Sequence, residues 1–188
     1  AERLTGERLF AWHAALFPAG YSGRARINVG GWRDDATGPM QVVSGPIHEP
    51  VVHFEAPPSG LVKLEMDGFV RWFRDTAPSG EAPLPALARA GTAHLYFVSI
   101  HPFEDGNGRI ARALGDLLLA RAEKSSQRFY SLSAQIQQER SEYYDILEKS
   151  QKGSLDVTPW IEWYLNCLQR AISGSEKTLE AVMTKARF

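Results

Sequence analysis

The stretch His101-Pro102-Phe103-Glu104-Asp105-Gly106-Asn107-Gly108-Arg109-Ile110-Ala111-Arg112 puts a base, a carboxylate, a glycine-rich turn and two arginines within one short segment. A histidine can take a proton near neutral pH, which makes His101 a candidate general base. Asp105, next to the glycines, suits a hard cation such as Mg²⁺, which takes one or two carboxylates and substrate phosphate oxygens. Glycines at 106 and 108 allow φ > 0 and close approach of the backbone to a ligand. Arg109 and Arg112 are i, i+3, so they project from neighbouring positions on a helix and can grip phosphate oxygens bidentately. Together these residues read as an anion site with a metal carboxylate and a base, suited to phosphoryl or nucleotidyl transfer. The alternative is a structural loop whose His and Asp merely cap a helix. The segment is not a Walker A loop, since it lacks G-x-x-x-x-G-K-[ST] and any lysine.

Two helices must position this loop. Pro102 and the two glycines are poor in a helix interior. From Arg109 to Glu123 the apolar residues Ile110, Leu114, Leu117 and Leu118 follow a helical period, so the glycines lie at a helix N-terminus. Free N–H groups and the positive end of the helix dipole favour an anion there. On the other side, Leu84 to Ile100 is apolar nearly throughout, including Leu87, Leu95, Phe97 and Val98, which predicts a central buried helix delivering the chain to His101. His94 lies on that helix and reads as a core histidine, with no further ligand at zinc spacing.

His101 to Arg112 matches in full the pattern His-x-Phe-x-(Asp/Glu)-Gly-Asn-Gly-Arg-x-x-Arg, and on this motif the chain resembles the Fic family. The resemblance implies an all-α fold, a Fic-type helical bundle with a small β-hairpin flap near the active site. It implies transfer of AMP from ATP to a Ser, Thr or Tyr hydroxyl of a target protein, with Mg²⁺ held by Asp105. His101 would be the catalytic base, and Asp105, Gly106, Asn107, Gly108, Arg109 and Arg112 would hold the nucleotide. Tyr144 matches a ring lining the nucleotide pocket, and Gln151 a position where relatives often carry Asn. Phe103 reads as a core anchor for the loop, and Glu104 as a surface residue. Other family activities stay open: transfer of another nucleotide, phosphocholine or a γ-phosphate, or removal of AMP. So does a non-catalytic module that binds nucleotide or peptide.

The clearest β signal is Gln41-Val42-Val43-Ser44 and Val51-Val52-His53-Phe54 around a turn-rich centre. An open hairpin edge can dock an extended peptide by strand addition. In the family this segment is the flap, so Gln41, Val42, Val43, Val52 and His53 are expected to bind the target. Tyr21 to Met40, rich in Gly and Arg, reads as an irregular loop whose basic residues either line an acidic ligand or are solvated. Fic proteins often carry a similar segment.

Elsewhere, Thr5 to Phe17 predicts a capped helix with His13 among its apolar positions. Leu61 to Thr76 predicts a helix with Leu61, Leu64, Phe69, Trp72 and Phe73 inward. Ser133 to Lys149 predicts a single helix, in which Tyr143 and Tyr144 point about 100° apart. Asp156-Val157-Thr158-Pro159 is a helix start, and Ser173-Gly174-Ser175 weakens that last helix. The whole reads as one domain, 1–188, with a core over about 61–150, a flap over about 40–55 and a C-terminal helix over about 157–185.

With 188 residues, 44% of them hydrophobic, the chain is long enough to bury a good core. A net charge of −1 gives nucleic acid no electrostatic footprint. The single Cys167 excludes an internal disulfide and reads as core. No apolar run has membrane-span length and no signal peptide opens the sequence, so a cytoplasmic location is expected. Many Fic proteins carry an inhibitory helix, (Ser/Thr)-x-x-x-Glu-(Gly/Asn), whose Glu pairs with the second motif arginine. Here the only Ser/Thr with Glu four residues on is Thr158, with Glu162, followed by Trp163. The expectation is that Arg112 is free, with an inhibitory segment lost ahead of Ala1 or supplied by an antitoxin-like partner.

Overall fold

The computed structural model describes residues 3–36, 38–46, 48–125 and 127–185. Ala1 and Phe188, the ends of the expected domain, lie outside the described residues. The elements run α1 (Gly6–Leu16), β1 (Tyr21–Ser22), β2 (Ala25–Arg26), β3 (Gln41–Ser44), β4 (Val51–Glu55), α2 (Ser59–Asp75), α3 (Ala86–Ile100), α4 (Asn107–Glu123), α5 (Leu132–Gln138), α6 (Arg140–Lys152) and α7 (Thr158–Lys185). The fold is the expected helical bundle, to which β3 and β4 add a small antiparallel hairpin.

α3 is the axis of the core. Ala90, Ala93, His94, Phe97, Val98 and Ile100 are all buried on it, and it packs along α4 more extensively than any other pair of elements does. Small residues allow that approach. Gly91 on α3 and Gly115 on α4 both face Tyr164 of α7, and a Cβ added at Gly115 would stand 2.7 Å from its Oη. Trp160 donates from Nε1 to the Gly91 carbonyl at 2.8 Å, which fixes α7 across α3. His94 is fully buried, with Nε2 3.0 Å from Tyr143 Oη, the core role expected of it. Cys167 is buried as expected.

The chain departs from the sequence reading in several places. On α2 the inward stripe is Val62, Met66, Phe69 and Phe73, whereas Leu61 and Leu64 are exposed. Leu64 lies two residues, about 200°, from Val62, so both cannot face the core. Leu87 on α3 is also exposed. The expected single helix from Ser133 is broken at Glu139 into α5 and α6. Glu139 holds that corner: its carboxylate takes Nε and Nη2 of Arg170 on α7, both at 2.6 Å, and Nε2 of Gln135 at 2.6 Å. Conversely, α7 continues through Ser173-Gly174-Ser175 without a break. The Gly/Arg-rich segment contains a short ladder, Tyr21 opposite Arg26 and Ser22 opposite Ala25, too brief to leave a period in the sequence.

In β3–β4, Val42 pairs with Phe54 and Val43 with Val52, so His53 is the extra residue of a bulge. Bulges re-aim side chains. His53 Nδ1 lies 2.6 Å from Glu148 Oε2 on α6, and its Nε2 2.6 Å from Ser44 Oγ. The hairpin is thereby tied to the bundle.

Two predictions test this packing. Gly115→Ala gains helix propensity worth about 1 kcal/mol, but pushes Tyr164 out of place, and overpacking costs roughly 1–3 kcal/mol. The thermal midpoint should fall, and an unchanged or raised midpoint counts against the contact. Burial lowers the His94 pKa from 6.5 to about 3. Between those values the unfolded chain binds a proton that the folded one refuses, so stability is lost as pH falls through that window. The slope is about 1.4 kcal/mol per pH unit. Urea titrations should show a shallower acid loss in His94→Phe than in the parent.

Candidate functional site

α3 ends at His101, whose φ of 52° and ψ of 57° put it in the left-handed region. A left-handed non-glycine residue costs of order 1–2 kcal/mol and has to be held by its surroundings. The next residue, Pro102, has no N–H with which to cap the helix. Nδ1 of His101 lies 3.2 Å from the Val98 carbonyl, which fixes the tautomer: Nδ1 donates and Nε2 keeps its lone pair. Burial lowers the His101 pKa, with Arg33 adding to the effect, while the Val98 bond and Asp105 oppose it. A half-buried neutral imidazole with its Nε2 lone pair available can act as a base.

The loop is built around Phe103 and Asn107. The Asn107 side chain accepts from the Phe103 N–H at 2.9 Å and donates to the Phe103 carbonyl at 2.7 Å. The Phe103 ring stacks on His13 with centroids 4.1 Å apart and 5° between planes. Asn107 therefore offers a ligand its main-chain N–H, because its side chain is buried and occupied. His13 is satisfied as expected: Nε2 donates to the Asp105 carbonyl at 3.1 Å, and Nδ1 accepts from the Gly30 N–H at 3.3 Å. Glu104 is tied to the Asn28 N–H at 3.2 Å.

Gly106 precedes α4 with φ 84°, and no side chain caps the helix. A Cβ there would lie 2.9 Å from the Phe17 ring, so glycine is required twice over. The uncapped N-terminus leaves the first N–H groups of a 17-residue helix for an anion. Arg109 lies over the Phe17 ring at 4.5 Å and 3.7 Å from Asp105 Oδ2. Asp105 also accepts from Ser22 Oγ, and its side chain is about half exposed, at 46%. Arg112 is half-buried and makes no ion pair among the described residues. Burial lowers the His94 pKa and the Arg112 charge adds to it, whereas burial raises the Tyr143 pKa and the same charge only partly offsets that rise.

No group of three or more His, Cys, Asp or Glu is gathered for a metal among the described residues. The donor set nevertheless fits Mg²⁺, which needs only one or two carboxylates when substrate phosphates supply the rest. Asp105 is one half-exposed carboxylate beside an uncapped helix N-terminus.

Gln151 reaches the last turn of α3 rather than the loop: its Nε2 lies 3.4 Å from the Val98 carbonyl and from Ser99 Oγ. Tyr144 is 48% exposed, one turn before Glu148, with Arg140 over its ring at 5.6 Å, while Tyr143 is buried. On the hairpin, Val43 and Val52 are exposed, Gln41 donates to Glu55 at 2.8 Å, and Val42 is half-buried. His53 has both ring nitrogens engaged, which turns it toward the bundle rather than toward a docked peptide. Sequence reasoning took Arg33 only as one of the basic residues of its loop, solvated or lining an acidic ligand. It is only 3% exposed, its Nε donates to the His101 carbonyl at 2.7 Å, and no periodicity singles it out from its Gly- and Arg-rich neighbours.

Comparison with known proteins follows the same geometry. Proteins named protein adenylyltransferase Fic from Drosophila ananassae and Drosophila melanogaster are each 34% identical over 116 residues, which is 62% of this chain and 21% of theirs. The chain thus spans about a fifth of the length of these curated relatives. A Fic family protein from Desulfovibrio desulfuricans G20 superposes with a TM-score of 0.74 at 25% identity, over 93% of this chain and 47% of that one. Fic-1 from C. elegans shares the fold, with a TM-score of 0.65 at 20% identity, over 97% of this chain and 45% of that one. No helix of the described residues is long and apolar enough to cross a membrane. The Fic/DOC family pattern matches residues 3–119, well over half of the sequence, and the chain belongs to that family.

Proposed function

We propose that the protein is an adenylyltransferase, which moves AMP from ATP to a Ser, Thr or Tyr hydroxyl of a target protein and releases pyrophosphate. One observation carries this reading: a neutral imidazole with an available Nε2 stands a few residues from an uncapped helix N-terminus flanked by Arg109 and Arg112. The relatives' printed name, protein adenylyltransferase, supports it.

In this reading the main-chain N–H groups at Asn107 and Gly108 receive the phosphates, while the Gly106 N–H donates to Asp105 Oδ1 and orients that carboxylate, its glycine letting the backbone come close to the ligand. Arg109 and Arg112 compensate charge on them, and Asp105 holds Mg²⁺. The bound cation supplies Lewis-acid neutralisation of the phosphate charge. His101 takes the hydroxyl proton on Nε2 while Nδ1 stays bonded to Val98. The hydroxyl oxygen attacks the α-phosphorus, and the bond to pyrophosphate breaks. Tyr144 flanks the nucleotide, and Gln151 acts by bracing the last turn of α3 ahead of His101. The target docks on the hairpin edge through Gln41, Val42, Val43 and Val52, with His53 fastening the hairpin. An inhibitory segment or antitoxin-like partner would reach Arg112. The single-domain extent 1–188 and a cytoplasmic location belong to the same proposal.

His101→Ala should bind ATP as the parent does but lose labelled-AMP transfer by about 10²–10⁴-fold. Transfer at the parent rate sinks the base assignment. Because the pKa of His101 is lowered from 6.5, the parent's transfer rate should hold its plateau to below that pH before declining. Asp105→Ala should shift the Mg²⁺ requirement for transfer to higher concentration, and a superimposable metal titration would exclude this carboxylate as the ligand.

A further inference from the structure

The reading of His101 as a base leaves open what keeps it in a left-handed conformation that neither Pro102 nor α3 can enforce. We propose that Arg33 is the positioning residue of that base, clamping the His101–Pro102 main chain to the start of α2 and the exit of the hairpin. This inference rests on the adenylyltransferase reading and adds a residue to it.

Arg33 binds two consecutive carbonyls of the loop. Its side-chain Nε donates to the His101 oxygen at 2.7 Å, and its main-chain N–H donates to the Pro102 oxygen at 2.9 Å. These oxygens follow a helix end, where carbonyls have no intrahelical partner. The rest of the guanidinium faces away from the loop. Nη1 pairs with Asp35 Oδ1 at 2.8 Å, and Nη2 donates to the Pro57 carbonyl. Asp35 in turn accepts from the Ser59 N–H at 2.6 Å, capping α2 where Pro58 offers no side-chain cap. One planar fork therefore joins three separate segments, a task a point-charge ammonium cannot repeat.

The clamp is also electrostatic. The charged groups acting on the His101 ring are Arg33, which disfavours the imidazolium, and Asp105, which favours it, beside the Val98 carbonyl that accepts from Nδ1. A residue that only stabilised the fold would leave the state of that ring alone. Arg33 holds the main-chain conformation of His101 and, after burial, adds to the lowering of its proton affinity.

The test compares the parent with Arg33→Gln and Arg33→Lys. NMR follows the His101 main-chain coupling and imidazole titration, alongside ATP affinity and labelled-AMP transfer. Arg33→Gln should raise the pH at which His101 titrates and carry the acid limb of the rate profile with it. Its kcat should fall about 10–100-fold, the size expected of a displaced catalytic group. ATP affinity should stay within about twofold, since no phosphate contact is touched. Arg33→Lys keeps the charge and a long aliphatic stem, which guards against loss of folding. It should hold the titration near the parent's while kcat still falls and the coupling leaves its left-handed value. Folded variants whose His101 titration, coupling and kcat match the parent overturn the proposal, as does a loss confined to KM or to the thermal midpoint. If the parent itself transfers no AMP, the adenylyltransferase reading fails, while the His101 coupling and titration still decide whether Arg33 positions the ring.

Discussion

The clamp between Asn107 and Phe103 is what the rest of the site depends on. A single buried amide accepts from one end of a residue and donates to the other, closing the loop against the first turn of α4. Each buried partner left unpaired would cost about 1–3 kcal/mol, so the two bonds act together or fail together. With Phe103 pinned, its ring completes an aromatic cluster with His13, Trp32 and Phe97. His13 then reaches the Asp105 carbonyl and Gly30, so the Gly/Arg-rich segment is fastened to the loop from the other side. Packing and hydrogen bonding converge on one stretch of backbone whose own sequence, proline before and glycine after, could not hold a conformation.

The hairpin shows the same economy of fastening. Two exposed strands on a helical body have little hydrophobic reason to stay in place, since an isolated hairpin is marginal in water. The bulge at His53 solves this by turning one side chain off the ladder and onto Glu148. Glu148 also pairs with Lys152 at 2.6 Å, and these bonds hold its carboxyl below the usual range. The exposed valines are left on the hairpin surface while the polar residues do the anchoring.

Much of this was legible in the sequence, for identifiable reasons. Helices α3 and α4 announce themselves by period, and the loop between them by Pro102, Gly106 and Gly108, because these signals are local. The role of Phe103 followed from its type. The inward face of α2 was misread because leucine at 61 and 64 is as apolar as valine at 62, and only the packing stripe distinguishes them. The corner at Glu139 was invisible because its cause, a forked bond to Arg170, lies 31 residues away. The role of Arg33 was hidden for the same reason: the carbonyls it holds are 24 and 68 residues distant, and a buried arginine looks in sequence like a solvated one. Non-local polar contacts carry no period.

The left-handed turn at His101 has one more consequence, in the electric field across the loop. α3, with 15 residues, ends at His101, and α4, with 17, begins at Asn107. Helix ends behave as roughly half-unit charges, negative at the C-terminus and positive at the N-terminus. The short loop is therefore bracketed by opposite poles. A proton arriving at the imidazole settles at the negative pole, and negative charge gathering at the glycines settles at the positive one. In the proposed transfer, separating a proton from an oxygen and delivering that oxygen toward a phosphate would follow the direction in which the two helices already polarise the space between them.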